Sequence, residues 1–172
     1  MFSRLIFLLT LLTLCLHPLH GQSDTLYTYF DADWKETLPL NYSYYRKTYS
    51  SNGHWVVKDF YKSDNLQMMG TYKSKKAKKE HGDFTYYFED GIKKSEGRFE
   101  KGKQTGEWKY YFDNGDLKSS GSYDKDKKVG SWEYNFYDGG SSSKGIYQKG
   151  KMTGEWEYYH RNGVISSKET YK

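Results

Sequence analysis

Residues 106–129 read GEWKYYFDNGDLKSSGSYDKDKKV, and this stretch contains the signals that decide the fold. Its Asn114-Gly115 pair recurs at a step of 24 residues, as Asp90-Gly91, Asp138-Gly139 and Asn162-Gly163. Three other positions recur at the same step: a glycine (82, 106, 130, 154), a large ring (84, 108, 132, 156) and a second ring (99, 123, 147, 171). A fixed period between about 20 and 50 residues is typical of stacked supersecondary units. The sequence therefore predicts a repeat protein.

Each unit is predicted to be one β-hairpin, because Asn-Gly favours a two-residue type I′ turn in which both central residues have positive φ. The cross-strand pairs that follow are Asp113–Asp116, Phe112–Leu117, Tyr110–Ser119, Trp108–Gly121 and Gly106–Tyr123. Partners share a face of the sheet. One face would carry Trp108, Tyr110, Phe112, Leu117 and Tyr123, and the other Lys109, Tyr111, Lys118 and Ser122. We expect the Trp108 indole to lie flat across its partner Gly121.

The fold class follows from placing these hairpins side by side. We expect an all-β protein, a single-layer, curved antiparallel β-meander of hairpin repeats with a 24-residue period. Its core must be aromatic, because the chain has 19 Tyr, 9 Phe and 5 Trp. Since a single sheet has no second layer to cover these rings, twist must let neighbouring rings shield one another.

The chain divides into three predicted regions. Residues 1–21 have the pattern of an export signal, with Arg4 before an apolar run from Leu5 to Leu16. Residues 22–53 are expected to form an N-terminal strand region that caps the array. Residues 54–172 hold the repeats, divided as 54–81 (divergent), 82–105, 106–129, 130–153 and 154–172. We expect the last strand to leave an open edge, which either charged side chains or a strand of a partner would protect.

The only cysteine, Cys15, lies inside the predicted signal. A chain cleaved near Gln22 would have no thiol, so sheet pairing and packing alone would stabilise it. Lipidation of Cys15 is the alternative, although Leu14 is bulkier than the small residue that such processing requires. The formal net charge of +5 is mild, and it favours a soluble, lysine-rich surface over a specific anion-binding role.

Residues 106–123, with the lysine-rich turn and Gly130-Ser131-Trp132 that follow, resemble the variant form of the MORN repeat. The resemblance covers 82–172 well and 54–72 loosely, and the Trp34 to Tyr49 region is similar to the stretch that precedes such repeats in Bacteroidetes. This repeat variant is common in exported bacterial proteins of the YwqK type, which are called antitoxin components by similarity to one another. The resemblance implies an extended, curved sheet of hairpins with roles in protein or membrane association.

Two surfaces are candidate binding sites. The first is the aromatic face, with Trp108, Tyr110, Phe112, Trp132, Tyr134, Phe136, Trp156 and Tyr158. The second is a lysine run that suits contact with an anionic lipid or lipopolysaccharide surface; its members are Lys73, Lys75, Lys76, Lys78 and Lys79. A solvated loop between repeats is the alternative interpretation of that run.

The sequence contains no complete motif for catalysis or cofactor binding. Residues 145–151 nearly spell a phosphate-binding loop, but Met152 replaces the hydroxyl residue and a strand follows where a helix is required. The five histidines lack metal-ligand spacing, and no nucleophile with a base stands out. We therefore expect no enzyme, no cofactor and no metal site. Export and modest charge also argue against nucleic acid, although tyrosines among lysines would suit base stacking.

The leading hypothesis is an exported, non-enzymatic β-repeat scaffold that binds a protein partner in the cell envelope through the aromatic face or the open edge. Its location would be the periplasm, the outer membrane or the cell exterior. One alternative is a carbohydrate- or lipid-binding solenoid of the cell surface, because residues 152–159 superficially resemble choline-binding wall repeats. Sugar binding would require Trp108, Trp132 and Trp156 to be open to solvent. Another alternative is an antitoxin- or immunity-like protein for an exported toxin, and the sequence leaves the oligomeric state open.

Overall fold

The computed structural model describes residues 25–76 and 78–172, which form one open, curved antiparallel sheet of twelve strands in chain order. The strands are β1 (Leu26–Phe30), β2 (Tyr44–Ser51), β3 (His54–Tyr61), β4 (Leu66–Tyr72), β5 (Glu80–Tyr87), β6 (Lys93–Glu100), β7 (Lys103–Tyr111), β8 (Leu117–Asp124), β9 (Lys127–Asn135), β10 (Ser141–Gln148), β11 (Lys151–Tyr159) and β12 (Ile165–Tyr171). The predicted all-β meander is confirmed. The predicted export signal, residues 1–21, lies outside the described residues. Within the described ranges, no helix is long and apolar enough to span a bilayer.

The hairpin register agrees with the prediction along the strands and differs at the loop. The pairs Tyr110–Ser119, Trp108–Gly121 and Gly106–Tyr123 are confirmed. The pairs expected at Phe112–Leu117 and Asp113–Asp116 are wrong, because Leu117 pairs with Tyr111 and the Phe112 N–H donates to the Asp116 carbonyl (2.9 Å). Only Gly115 of the Asn-Gly pair has a positive φ, 91°. The connection is thus a three-residue loop that ends in a glycine bulge, and not the predicted type I′ turn.

The type I′ turns lie instead at the lysine-rich connections on the opposite long edge of the sheet. Both central residues have positive φ in three of these turns: Lys101-Gly102 (53° and 80°), Lys125-Asp126 (48° and 69°) and Lys149-Gly150 (52° and 88°). The second N–H of each turn donates to a carbonyl of the preceding repeat, at distances of 2.9, 3.1 and 2.9 Å. These bonds join each repeat to the one before it.

A bulge explains the glycine that opens each repeat. Gly106 has a φ of 66°, and a Cβ at this position would meet nothing within 4 Å. The pairing of β6 with β7 shifts across this point, since Glu96 pairs with Lys109 whereas Arg98 pairs with Thr105. The backbone conformation therefore requires glycine here, and bulges of this type increase the local twist of a sheet.

The large ring of each repeat lies across a glycine of the preceding strand. A Cβ built on Gly121 would stand 2.2 Å from the Trp132 ring. Trp108 covers Gly97 in the same way, although its cross-strand partner is Gly121. The expectation that Trp108 covers Gly121 is therefore wrong, because Trp108 covers Gly97 of the preceding strand and Trp132 covers Gly121. The glycine lies between two indoles in the register, and the indole of the following repeat lies across it.

The N-terminal strands carry a different core. Val57 is fully buried and packs with Met68, Tyr72 and Phe84. Beside it, the buried Asp59 carboxylate accepts hydrogen bonds from Nε and Nη2 of Arg46 at 2.7 and 2.8 Å. A buried charge requires such a bidentate partner. At the N-terminal end, β1 and β2 continue the same sheet.

Candidate functional site

A continuous ladder of aromatic rings crosses the sheet perpendicular to the strands. Successive ring centroids are 5.0 to 6.4 Å apart, and every contact is edge-to-face. The ladder consists of Tyr72, Phe84, Phe99, Trp108, Tyr123, Trp132, Tyr147, Trp156 and Tyr171. Edge-to-face pairs are favourable because the positive ring edge meets the negative ring face. The ladder therefore couples each repeat to the next by direct ring contact.

The three tryptophans form the interior of this ladder. Trp108, Trp132 and Trp156 are only 1–2% exposed. Each indole Nε1–H donates to a backbone carbonyl of the preceding strand, at 3.1 to 3.2 Å, so the polar atom is satisfied as well. Their ring faces are covered by the sheet and by tyrosines. Indoles that are buried in this way cannot stack on a sugar, which removes the residues on which the carbohydrate alternative depended.

Tyrosine hydroxyl groups form the accessible layer over the indoles. Three pairs of hydroxyl oxygens lie within hydrogen-bond distance: Tyr110 with Tyr123 (3.2 Å), Tyr134 with Tyr147 (3.2 Å) and Tyr158 with Tyr171 (3.0 Å). All six rings are half-buried. We call this surface the tyrosine face. It presents one hydroxyl pair per repeat, at a step of about 10 Å because each repeat contributes two strands.

Lys128 lies inside an aromatic cage on the tyrosine face. Its Nζ is 4.2 Å from the centroid of Trp132 and 5.1 Å from those of Tyr134 and Tyr147. It also donates to the Tyr134 hydroxyl at 2.7 Å. Burial lowers the pKa of Lys128. Gln104 occupies the corresponding place in the preceding repeat, where its Nε2 donates to the Tyr110 hydroxyl (3.2 Å).

Burial also controls the ionisation of Tyr86, which stacks on Phe84 of the ladder, and of two tyrosines of the tyrosine face. It raises the pKa of Tyr86 to about 12, and the Glu80 carboxylate acts in the same direction. The pKa values of Tyr123 and Tyr134 rise further, first because of burial and then because each phenol hydrogen-bonds a neighbouring tyrosine. Tyr123 and Tyr134 are therefore neutral at physiological pH, and the charged groups beside the hydroxyl pairs include Lys128 and, at β12, Glu169.

The eight residues predicted for the aromatic face occupy three environments. The tryptophans are buried, and Tyr110, Tyr134 and Tyr158 belong to the tyrosine face. Phe112 and Phe136 lie in the loops at the ends of the hairpins. Phe112 contacts Tyr137 with a centroid distance of 5.2 Å, and the Arg161 guanidinium lies 5.1 Å from the centroid of Phe136. The two phenylalanines therefore stabilise the loops and are separate from the ladder.

The opposite face of the sheet carries a polar groove that sequence reasoning missed. It has a volume of about 530 Å³, and its lining includes Glu107, Ser120, Ser122, Glu133, Lys144 and Glu157. Lys144 and Lys168 pair with Glu157 at 3.2 and 2.8 Å. Hydrogen bonds from Lys168, Tyr159 and Lys144 lower the pKa of Glu157 to about 2. The alternation of Lys and Glu at paired strand positions is the signal that could have revealed this groove.

The groove does not form a metal site of the usual kind. In residues 25–76 and 78–172, no three His, Cys, Asp or Glu side chains come together as metal ligands. Three of the groove carboxylates are instead joined to lysines or a hydroxyl group of neighbouring strands, namely Glu133, Glu155 and Glu157. The fourth, Glu107, pairs with Lys109 of its own strand. This face is a network of ion pairs that fixes the side chains of adjacent strands.

The lysine run lies in the connection between β4 and β5. Its five lysines are exposed, and Lys75 Nζ lies 5.6 Å from the ring centroid of Trp55. Lys73, Lys78 and Lys79 join Lys101 and His81 around a pocket of about 310 Å³. The pairing of β5 with β6 and the turn after β6 bring Lys101 there. Sequence reasoning missed Lys101 and His81, although pairing the lysine-rich connections by repeat would have placed them on one edge.

The family model of the MORN repeat variant matches three segments, residues 80–101, 104–125 and 152–172. Each match begins at the start of the first strand of a hairpin or within one residue of it, and extends over the second strand. No curated protein matches the sequence. The matched segments contain the glycine bulge, the covering ring and the hairpin loop described above.

Proposed function

Because the chain belongs to the MORN repeat variant family, we propose that it is an exported, non-enzymatic scaffold of the cell envelope that binds a protein partner through the tyrosine face. Its repeats form a rigid support, and the partner contacts lie on top of them. The export part of the proposal rests on the apolar run within residues 1–21.

The tyrosine hydroxyl pairs are the observation that carries this proposal. Tyrosine combines a large ring with a polar tip and loses little conformational entropy on binding, so it is enriched in protein interfaces. Here the rings are already held by stacking on the indoles, for example Tyr110 on Trp108 at 5.9 Å. A surface that is ordered before binding has a smaller entropy cost to overcome.

Affinity capture from native envelope extract tests the proposal. The test bait carries Tyr110→Ser and Tyr134→Ser, which remove two rings from the tyrosine face. The matched control carries Tyr111→Ser and Tyr159→Ser, which remove two rings whose hydroxyls bond Glu96 and Glu157 of the polar opposite face. Circular dichroism must show that both variants keep the sheet.

We expect the unaltered protein and the control to retain the same protein in stoichiometric amount, and the test bait to lose it. If all three baits retain it equally, the tyrosine face is not the binding surface. If glycan or lipid is retained without protein, a ligand-binding role replaces the scaffold role.

A further inference from the structure

The connections between strands form the two long edges of the sheet, and these two edges differ in charge. The turns after β2, β4, β6, β8 and β10 all lie on one edge, and the six other connections lie on the opposite edge. Counting each connection with one residue on either side, the first edge holds eleven lysines and four carboxylates. The second edge holds nine carboxylates and four basic residues. We call these the lysine edge and the acidic edge.

The lysines of the lysine edge are not neutralised by carboxylates of the same molecule, although Lys75 lies against the Trp55 ring. Among the described residues, none of these eleven lysines takes part in an ion pair, whereas Lys109, Lys144 and Lys168 within the strands and Lys93 on the acidic edge do. The strand lysines Lys58, Lys94 and Lys118 also form none and therefore serve as controls.

Of the nine carboxylates counted on the acidic edge, all within the part of the chain that the structure describes, only Asp33 and Asp138 are in ion pairs. Charges without an ion pair therefore occur at four consecutive connections on each edge, after β4, β6, β8 and β10 on the lysine edge and after β1, β3, β5 and β7 on the acidic edge. Asp64 and Glu89 accept hydrogen bonds from the neutral hydroxyl groups of Tyr45 and Ser63, which do not cancel their charge.

The two edges also share one spacing. Each connection follows the next on the same edge after two strands, which is a step of about 10 Å. The lysine turns and the acidic loops therefore repeat with the same period, because both are set by the same hairpins. The acidic edge of another copy of this chain therefore matches the lysine edge in both sign and spacing.

We propose that the protein associates with itself edge to edge, with the lysine edge of one copy against the acidic edge of the next. The contact is head-to-tail, so it leaves a free edge of each kind and permits further copies to add. It leaves the tyrosine face open, and the proposal is therefore independent of the protein partner proposed above.

The size of the contact limits its strength. The lysine edge is roughly 40 Å long and about 10 Å thick, so two copies would bury on the order of 800 Å² in total. Stable complexes usually bury about 1,200 Å² or more. The association should therefore be weak, concentration-dependent and sensitive to salt, since exposed charges are screened at an ionic strength of about 0.1 M.

Sedimentation velocity on the purified protein, at about 0.02 M and about 0.3 M salt, tests the proposal with three variants. The lysine-edge variant carries Lys103→Gln, Lys127→Gln and Lys151→Gln. The acidic-edge variant carries Asp90→Asn, Asp113→Asn and Asp116→Asn. The control carries Lys58→Gln, Lys94→Gln and Lys118→Gln, which remove the same number of lysines from other positions.

We expect the unaltered protein and the control to associate at low salt, with an association constant at least about tenfold lower at high salt. Each edge variant alone should lose association by about the same factor. An equimolar mixture of the two edge variants should recover a dimer, because one variant keeps the lysine edge and the other keeps the acidic edge.

Three outcomes would overturn the proposal. The first is a monomer at all salt concentrations tested. The second is an association that all three variants share, which would place the contact elsewhere. The third is binding of the monomeric protein to vesicles of anionic lipid through the lysine edge, which would identify a lipid surface as the occupant.

Discussion

Gly121 has no room for a side chain, because the Trp132 indole lies across its Cα. Gly106 has free space around it but a φ of 66°, which is costly for any residue with a Cβ. Glycine recurs at both positions in every complete repeat, but the physical reason that excludes a side chain differs between the two positions. Substitution by alanine should separate the two reasons.

Gly121→Ala should displace the Trp132 indole and destabilise the protein by about 3 kcal/mol, comparable to the loss of a core side chain. Gly106→Ala should cost about 1 to 2 kcal/mol, the price of a left-handed residue. Urea denaturation measures both values. In a double-mutant cycle, Gly121→Ala should add little to Trp132→Ala, whereas Gly106→Ala should add fully. Full additivity at Gly121 would contradict the contact.

Trp132→Ala should destabilise the protein by about 3 to 5 kcal/mol, because a buried ring of the ladder is lost. Tyr137 is the matched control, since its ring is half exposed and lies outside the ladder. Tyr137→Ala should change the free energy of unfolding by less than about 1 kcal/mol. Similar losses for both variants would show that the ladder does not carry the stability.

At the scale of the single element, the two kinds of connection between strands have different turn geometries. The Asn-Gly end uses a three-residue loop, in which glycine alone takes a positive φ. The lysine end uses a two-residue turn and places Lys101, Lys125 and Lys149 at φ values of 48° to 53°. Lysine is not among the residues that favour positive φ in a type I′ turn. The conformational preference of lysine is therefore overridden by the geometry of the tight turn, and the turn carries a positive charge at this edge.

Lys125→Asn should therefore stabilise the protein by about 0.5 to 1 kcal/mol, because asparagine tolerates the left-handed conformation better. The midpoint of urea denaturation measures the change. Lys127→Asn is the control, since Lys127 begins strand β9 and has no positive φ. A stabilisation of the same size at Lys127 would attribute the effect to lost charge rather than to the turn.

At the scale of the whole molecule, the half-buried tyrosines link stability to pH. The raised pKa values of Tyr86, Tyr123 and Tyr134 mean that the folded state favours the neutral phenol. The stabilisation is complete below the ordinary tyrosine pKa of 10.0. It is lost as the pH rises above that value, because the unfolded chain ionises first.

We expect the free energy of unfolding to be nearly constant between about pH 7 and 9 and to fall steeply above about pH 10. Urea denaturation at a series of pH values measures it, and tyrosinate absorbance under native conditions provides the matching titration. A free energy of unfolding that does not change up to about pH 11.5 would contradict the raised pKa values.

The position in the array should also matter. Trp156 is as well buried as Trp132, but only β12 follows its strand, whereas three strands follow that of Trp132. Trp156→Ala should therefore lower the global free energy of unfolding less than Trp132→Ala. Hydrogen exchange should show β11 and β12 losing protection while β7 to β10 keep it. Equal losses with uniform exchange would argue against an array governed by neighbouring repeats.

The last strand differs from the others at one position of the ladder. Glu169 pairs with Trp156 where Gly121 and Gly145 pair with the tryptophans of earlier repeats. A further indole could not lie flat across a glutamate as it does across a glycine. The carboxylate at this edge instead accepts a hydrogen bond from the Tyr171 hydroxyl (2.6 Å). A charged side chain on an edge strand is one way in which such strands resist unwanted pairing.

The sequence by itself determined the repeat, the strand pairing and the aromatic core. These follow from a 24-residue period, from side chains that alternate between faces, and from a composition poor in aliphatic residues. Pairs such as Trp108–Gly121 were predicted correctly because register depends on local alternation. The family resemblance was also carried by local residues.

Only the tertiary structure decided which ring covers which glycine, which connection is the tight turn, and which lysines share an edge. Gly121 pairs with Trp108 on one neighbouring strand and with Trp132 on the other. The alternation of side chains along a strand does not determine which of these two indoles covers the glycine. Lys101 joins the lysine run through the β5–β6 pairing and the turn after β6, which bring together residues of successive repeats. The burial of the indoles likewise depends on rings from neighbouring repeats. Such properties arise between repeats, whereas the sequence signals lie within them.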